Sequence, residues 1–222
     1  MVSRRLGEPT EPSFGSLPQA LAEQLAARAT IRRYRRGDYV CHAGAAATRL
    51  FVVQTGRIAI AVRARDGRES VAAVLGPGAL FGELPFFDGE PRSSDARALT
   101  PVVLGEVDYE AVHAVIDEQP SLLWEVTLIL TRRLRATDDA LADAMFLDVT
   151  GRTAKRLLQI AGNDDEFTLP VTQEELAAMV GASRERVNKA IATFVRLGWL
   201  QVSARTRYRI LDRGELEART RV

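Results

Sequence analysis

The chain has 222 residues, of which 46% are hydrophobic and 27% charged, with a formal net charge of +1. That length suits one or two domains, each with a buried core. The single cysteine, Cys41, excludes an intrachain disulfide, a four-cysteine zinc site and a cysteine-held iron–sulfur cluster, and no apolar run approaches the roughly 20 residues of a membrane helix.

Charge is unevenly placed. Residues 1–147 carry 17 basic and 19 acidic side chains, a net −2, whereas residues 148–222 carry 13 basic and 10 acidic, a net +3. The C-terminal third is the better partner for a polyanion. Of the 30 basic residues only Lys155 and Lys189 are lysine, which reads as codon bias.

In chain order, Met1–Gly15 is polar and lacks the apolar core of a signal peptide. Residues 1–16 therefore read as a loose tail on a cytosolic protein. Leu17–Ala29, rich in Leu, Ala, Gln and Glu, predicts a short helix. From Thr30 to Val107 short Val/Ile/Leu/Phe runs alternate with glycines, as in Leu50–Gln54, Ile58–Val62, Val71–Leu75 and Val102–Val107. Strands at this spacing predict a β-sandwich or barrel-like roll, with Asp66-Gly67 as a tight hairpin turn. Asp108 is placed to cap a helix over Tyr109–Ile116, and Pro120 sits in the first turn of the next.

Residues from Ser121 to about Leu147 hold no Pro or Gly. Leu123, Thr127, Leu130, Leu134, Thr137, Leu141 and Ala144 recur in alternating steps of four and three, the 3.5-residue period of a coiled coil. At 1.5 Å per residue the helix spans about 38 Å, more than one small roll covers, so this seam predicts a homodimer. The alternative is a helix packed only on its own roll. Asp148-Val-Thr-Gly151 is expected to interrupt the helix, which resumes over Arg152–Ala161 and ends at Gly162. Phe167–Leu169 is a candidate strand.

Val171–Gly198 carries the strongest signal. Thr172 with Glu175 three residues on fits a capping box. Gly181 supplies the left-handed position that ends a first helix, and Ser183 caps a second. At 100° per residue Val187, Ala190, Ile191, Phe194 and Leu197 share one sector; Arg184, Glu185, Asn188 and Lys189 share another. Two short helices around a glycine turn predict a helix-turn-helix. Trp199–Val202 and Tyr208–Leu211, joined by a turn with Arg205 and Arg207, predict a two-stranded wing. Arg184 and Lys189 suit guanine, and Glu185 suits the cytosine amino group. Ser183 and the helix N-terminal amides suit a phosphate contact. The alternative is a helical hairpin with a solvated charged face.

Phe81-Gly-Glu-Leu84, Pro91-Arg-Ser93, Phe146-Leu-Asp-Val-Thr-Gly-Arg152 and Val180-Gly-Ala-Ser-Arg-Glu-Arg-Val187 together resemble the cyclic-AMP receptor protein / FNR family of bacterial transcription regulators. The resemblance runs from about residue 17 to 213. It implies an α+β architecture: a tail (1–16), a jelly-roll-like cyclic-nucleotide-binding β-roll (17–118), a dimerisation helix (119–147) and a winged helix-turn-helix (148–222). Read without it, Gly82-Glu83 is a turn and Arg92 a surface cation. With it, Gly82 and Leu84 mark a phosphate-binding segment, Glu83 accepts from the ribose 2′-hydroxyl, Arg92 pairs with the cyclic phosphate and Ser93 adds a donor.

The base would be met by Thr137 and Asp138, one acting across the dimer. Asp138 stands where the family has a short neutral polar residue; a carboxylate accepts from adenine's amino group and repels guanine's O6. Ala73 replaces a hydroxyl found in some relatives. His42 and His113 are isolated, which fits ordinary structural or surface residues rather than haem ligands. The implied ligand is cyclic AMP. The implied partners are a near-palindromic double-stranded DNA, its backbone met at the first helix start by Thr172 and Gln173 and its half-sites about one helical turn apart, a second copy of the chain and RNA polymerase. No catalytic or metal-binding constellation is visible. Two other functions remain: a ligand-independent DNA-binding regulator of the same fold, and a nucleotide-binding signalling module whose C-terminal hairpin binds protein.

Overall fold

Leu50-Phe51-Val52-Val53 is apolar at every position, the pattern of a strand buried on both faces. The computed structural model describes residues 17–63, 69–204 and 206–221. In it the side chains of this strand divide by parity. Leu50 and Val52 enter one core with Leu21, Leu25, Val112, Val115, Leu122, Val126 and Ile129. Phe51 and Val53 enter another with Ile58, Leu75, Phe81, Ala98, Val102 and Leu104. A period of two thus joins a helical layer to the roll interior through one strand.

The elements run α1 (Gln19–Ala26), β1 (Thr30–Tyr34), β2 (Tyr39–Cys41), β3 (Arg49–Thr55), β4 (Ile58–Arg63), β5 (Glu69–Leu75), β6 (Leu80–Phe81), α2 (Leu84–Asp88), β7 (Asp95–Ala98), β8 (Val102–Asp108), α3 (Tyr109–Glu118) and α4 (Leu122–Phe146). Then follow α5 (Val149–Ala161), β9 (Glu166–Thr168), α6 (Gln173–Val180), α7 (Arg184–Arg196), β10 (Leu200–Ala204), β11 (Arg207–Ile210) and α8 (Arg213–Ala218). Two antiparallel four-stranded sheets, ordered β1-β8-β3-β6 and β2-β7-β4-β5, make the roll. A three-stranded sheet, β10-β11-β9, carries the wing. The described residues fall into two compact units, one ending at Ala140 and one starting at Leu141, so the division lies inside α4.

α4 buries Leu122, Val126 and Ile129, the i, i+4, i+7 stripe of a helix laid on a core. Elsewhere it leaves apolar side chains in solvent: Leu134 is 62% exposed, Leu141 60% and Met145 68%. The break after α4 is narrower than expected. α5 already begins at Val149, with the Asp148 carboxylate accepting from Gly151 N at 2.7 Å, so only Leu147-Asp148 is non-helical. Gly151 sits inside the helix because a Cβ there would lie 2.8 Å from the Arg219 carbonyl oxygen. Asp108 precedes α3 but its side chain makes no capping bond. The Asp66-Gly67 turn, Arg205 and the tail over 1–16 lie outside the described residues.

The C-terminal unit follows its caps. Thr172 and Glu175 form the reciprocal capping box of α6, Gly181 ends it at φ 67, and Ser183 accepts from Arg186 N at the start of α7. Each such cap contributes about 1 kcal/mol. α7 buries Val187, Ala190, Ile191 and Phe194. Leu197 leaves the predicted stripe and is 49% exposed. It is the C-cap residue, and Gly198 at φ 76 turns the chain before the side chain can reach the core.

Candidate functional site

Gly82 starts the site. It adopts φ +78, and a Cβ on it would lie 2.4 Å from Arg92 Nη1; only glycine lets the guanidinium close over this backbone. Arg92 is 7% exposed. Its Nη1 donates to the Gly82 carbonyl at 2.9 Å and its Nη2 to the Arg49 carbonyl at 2.6 Å. Its guanidinium lies 5.2 Å from the centre of the Phe51 ring. Tyr109 Oη also donates to the Gly82 carbonyl, at 2.8 Å. A guanidinium carries five N–H donors, so these two bonds orient it and leave donors for an anion.

These residues border a cavity of about 620 Å³ in the N-terminal unit, within the roughly 300–1,000 Å³ of small-molecule sites. Gly82, Glu83, Arg92, Ser93 and Ser94 form one polar end. Ile60, Val62, Ala72, Ala73, Leu75, Phe81 and Ala96 form an apolar wall, and Leu84, Pro85, Leu130, Arg133, Leu134 and Thr137 also lie along the lining. Gly82, Glu83, Leu84, Arg92, Ser93 and Thr137 are therefore brought together from the turn between β6 and α2, the first residue of α2, the segment before β7, and α4. Asp138 is not among them; it is exposed on α4, outside the lining. Its side chain leaves α4 one residue, about 100° of helix turn, after that of Thr137.

Glu83 is 2% exposed. Its Oε1 accepts from Arg133 Nη1, and Arg133 Nη2 also donates to the Leu80 carbonyl. Sequence reasoning missed Arg133. The signal was present: it precedes Thr137 by four residues, one helical turn on the same face. Thr137 Oγ1 donates to the Arg133 carbonyl at 3.0 Å and keeps its lone pairs for an incoming donor. Cys41 also lines the cavity. Burial pushes its thiol pKa up, against the lowering effect of Arg92, so it stays a protonated wall group. Burial likewise raises the Tyr109 phenol, which remains a donor.

In the C-terminal unit α7 presents Arg184, Glu185, Arg186, Asn188 and Lys189 exposed on one side and buries the other. Ser183 and Thr172 sit exposed at the two helix starts. Gln173 differs from expectation: it is half-buried and its Nε2 donates to Tyr208 Oη. Its side chain is held against β11. Among the described residues no helix is long and apolar enough to cross a membrane, and no group of three or more His, Cys, Asp or Glu could hold a metal ion.

Residues 31–119 match the family model described as "Cyclic nucleotide-binding domain", and residues 151–219 match "Crp-like helix-turn-helix domain". The chain is 41% identical over 180 residues to the CRP-like cAMP-activated global transcriptional regulator of Mycobacterium tuberculosis, covering 78% of this chain and 80% of that one. It is 32% identical over 168 residues to the cAMP-activated global transcriptional regulator CRP of Escherichia coli, covering 72% and 80%. Among solved structures, the c-di-GMP responsive global regulator CLP of Xanthomonas campestris superposes with a TM-score of 0.77 at 26% identity, over 87% of this chain and 99% of that one. With this identity and coverage, and both domain types in order on one chain, the protein belongs to the cyclic-AMP receptor protein / FNR family: it is a DNA-binding transcription regulator with a cyclic-nucleotide-binding domain, and not an enzyme.

Proposed function

We propose that the chain is a homodimeric, sequence-specific transcription regulator of the cytoplasm, switched allosterically by a cyclic nucleotide, with cyclic AMP as the ligand. The carrying observation is a buried guanidinium and a buried carboxylate at one end of a cavity of about 620 Å³, Arg92 at 7% and Glu83 at 2% exposure. They fit the ligand's chemistry. A cyclic phosphodiester is a single diffuse anion that suits the forked donors of Arg92, with Ser93 beside it. Glu83 accepts from a 2′-hydroxyl, which selects ribose over deoxyribose. The apolar wall suits a base, Thr137 accepts from it, and Asp138 joins from the second copy of the chain. The relatives named above as cAMP-activated support adenine as that base, while CLP, named c-di-GMP responsive, is the counter-example within the fold.

Dimerisation draws support from α4, whose exposed Leu134, Leu141 and Met145 make an apolar row that needs a partner. Two copies would direct two α7 helices at a near-palindromic duplex. Arg184, Glu185 and Lys189 read bases; Ser183, Thr172 and the Gln173 amide hold phosphates; RNA polymerase is the downstream partner. A second reading, a regulator that binds DNA without ligand, draws on Arg92 being satisfied by the Gly82 and Arg49 carbonyls. One experiment separates them. Calorimetric titration with cyclic AMP, cyclic GMP and 2′-deoxy cyclic AMP, repeated on Arg92→Ala, should show Arg92-dependent binding with ribose preferred. No heat with any nucleotide overturns the ligand switch and leaves the second reading.

A further inference from the structure

α5 carries three cations within five residues, Arg152, Lys155 and Arg156, and each is tied to a neighbouring helix end inside the C-terminal unit. Arg152 Nη1 donates to the Leu147 carbonyl at 2.7 Å and its Nε to the Val180 carbonyl at 2.9 Å. Arg156 Nη2 donates to the Met179 carbonyl at 3.2 Å. Met179 and Val180 are the last residues of α6, whose carbonyls have no partner within their own helix, and Gly181 follows as the turn before α7. Lys155 Nζ meets Asp143 Oδ1, on the last turns of α4, at 2.5 Å, with the two side chains 32% and 22% exposed. Asp143 also acts electrostatically on Arg156, whose guanidinium pKa is lowered by burial. A run of named contacts therefore leads from α4 through α5 to the helix-turn-helix turn.

We propose that Asp143 is a positioning residue, which with the α5 cations Lys155 and Arg156 fastens the end of α4 to the helix-turn-helix turn and so passes a ligand-dependent shift of α4 to the recognition helix. The proposal rests on the ligand-switch reading above. Without the Asp143 charge, α5 keeps its hold on Leu147, Met179 and Val180 through backbone carbonyls. It loses its ionic hold on the side of α4. Ligand binding and the fold of the helix-turn-helix then persist while the connection between them slackens.

The test uses the full chain and a labelled duplex that the wild-type protein selects from a random pool. DNA affinity is measured with and without cyclic AMP, and cyclic AMP affinity is measured separately by calorimetry. For Asp143→Asn, cyclic AMP should bind within about twofold of wild type while the ligand-induced gain in DNA affinity falls about fivefold, the scale of typical inter-site coupling. Asp143→Glu should keep most of the gain, and the charge-exchanged pair Asp143→Lys with Lys155→Asp should recover part of it. If Asp143→Asn does not fold, Lys155→Gln reports the same ion pair from its more exposed end. An unchanged gain in the neutral variants, whatever their stability, overturns the proposal and leaves the ligand switch standing. A wild-type protein whose DNA affinity ignores cyclic AMP overturns both.

Discussion

Gly82→Ala should weaken the roll and the ligand site together, through one side chain. At φ +78 any L side chain costs about 1 kcal/mol. The added Cβ would also lie 2.4 Å from Arg92 Nη1 and 3.1 Å from Phe51 Cδ2. Phe51 is 3% exposed, with its ring stacked 4.8 Å from that of Phe81, so it holds its place. The guanidinium gives way and loses its bonds to the Gly82 and Arg49 carbonyls, worth about 1 kcal/mol each. The sum is about 3 kcal/mol of stability, read by urea unfolding, and cyclic AMP should bind at least tenfold more weakly, on the order of one charge-assisted hydrogen bond. Gly89→Ala is the internal control. Gly89 has φ +72 but nothing within 4 Å of an added Cβ, so only the conformational cost of about 1 kcal/mol remains and nucleotide affinity stays put. Equal effects of the two substitutions on nucleotide binding would refute the assigned contact between Gly82 and Arg92.

Three further outcomes are expected. Leu134→Glu combined with Leu141→Glu should give a monomer in sedimentation equilibrium, because both side chains are some 60% exposed on the α4 row; a dimer that persists would place the association face elsewhere. Arg184→Ala and Lys189→Ala should each cost about 1–3 kcal/mol of DNA affinity at fixed salt and relax preference at one base position, checked by fluorescence anisotropy on single-base variants of the selected duplex. The contribution of Tyr34 to stability should be level below pH 10 and fall from there toward about 12, the value to which burial, then its bond to Glu106, raises the Tyr34 phenol. The folded state holds that proton more tightly than the unfolded chain, so the gain present below the ordinary tyrosine value disappears as pH rises through the folded one. Tyr34→Phe should make this alkaline slope shallower, measured as urea midpoints across the range, and leave the part owed to the Tyr109 and Tyr208 phenols, which burial also raises.

Legibility followed the range of the forces. Caps and periodicities act over three to seven residues, so the capping box of Thr172 and Glu175, the Gly181 turn and the buried sector of α7 were readable from spacing alone. Leu197 was misread because angular arithmetic continues a helix that Gly198 ends. The unbroken apolar run of β3 indicated burial on two faces, but which residue entered which core depended on sheets assembled from distant segments. At the site, motif residues located the polar end of the cavity. Their satisfaction did not show in the sequence. Arg92 is joined to the Arg49 carbonyl across 43 positions, and Glu83 to Arg133 across 50. The Gln173 side chain is bonded to Tyr208, 35 positions away. Such long-range pairings need the fold before they can be seen.

On α4, Thr137 and Leu134 both line the cavity, and Leu134 also belongs, with Leu141, to the exposed apolar row of the same helix. One helix turn thus answers to two selective pressures. If the chain pairs through this row as proposed, a substitution that retunes which metabolite is sensed should also disturb self-association, and the reverse should hold. Divergence of effector preference along this lineage should therefore proceed by paired replacements on neighbouring turns of α4, leaving a covarying signature along this one helix face.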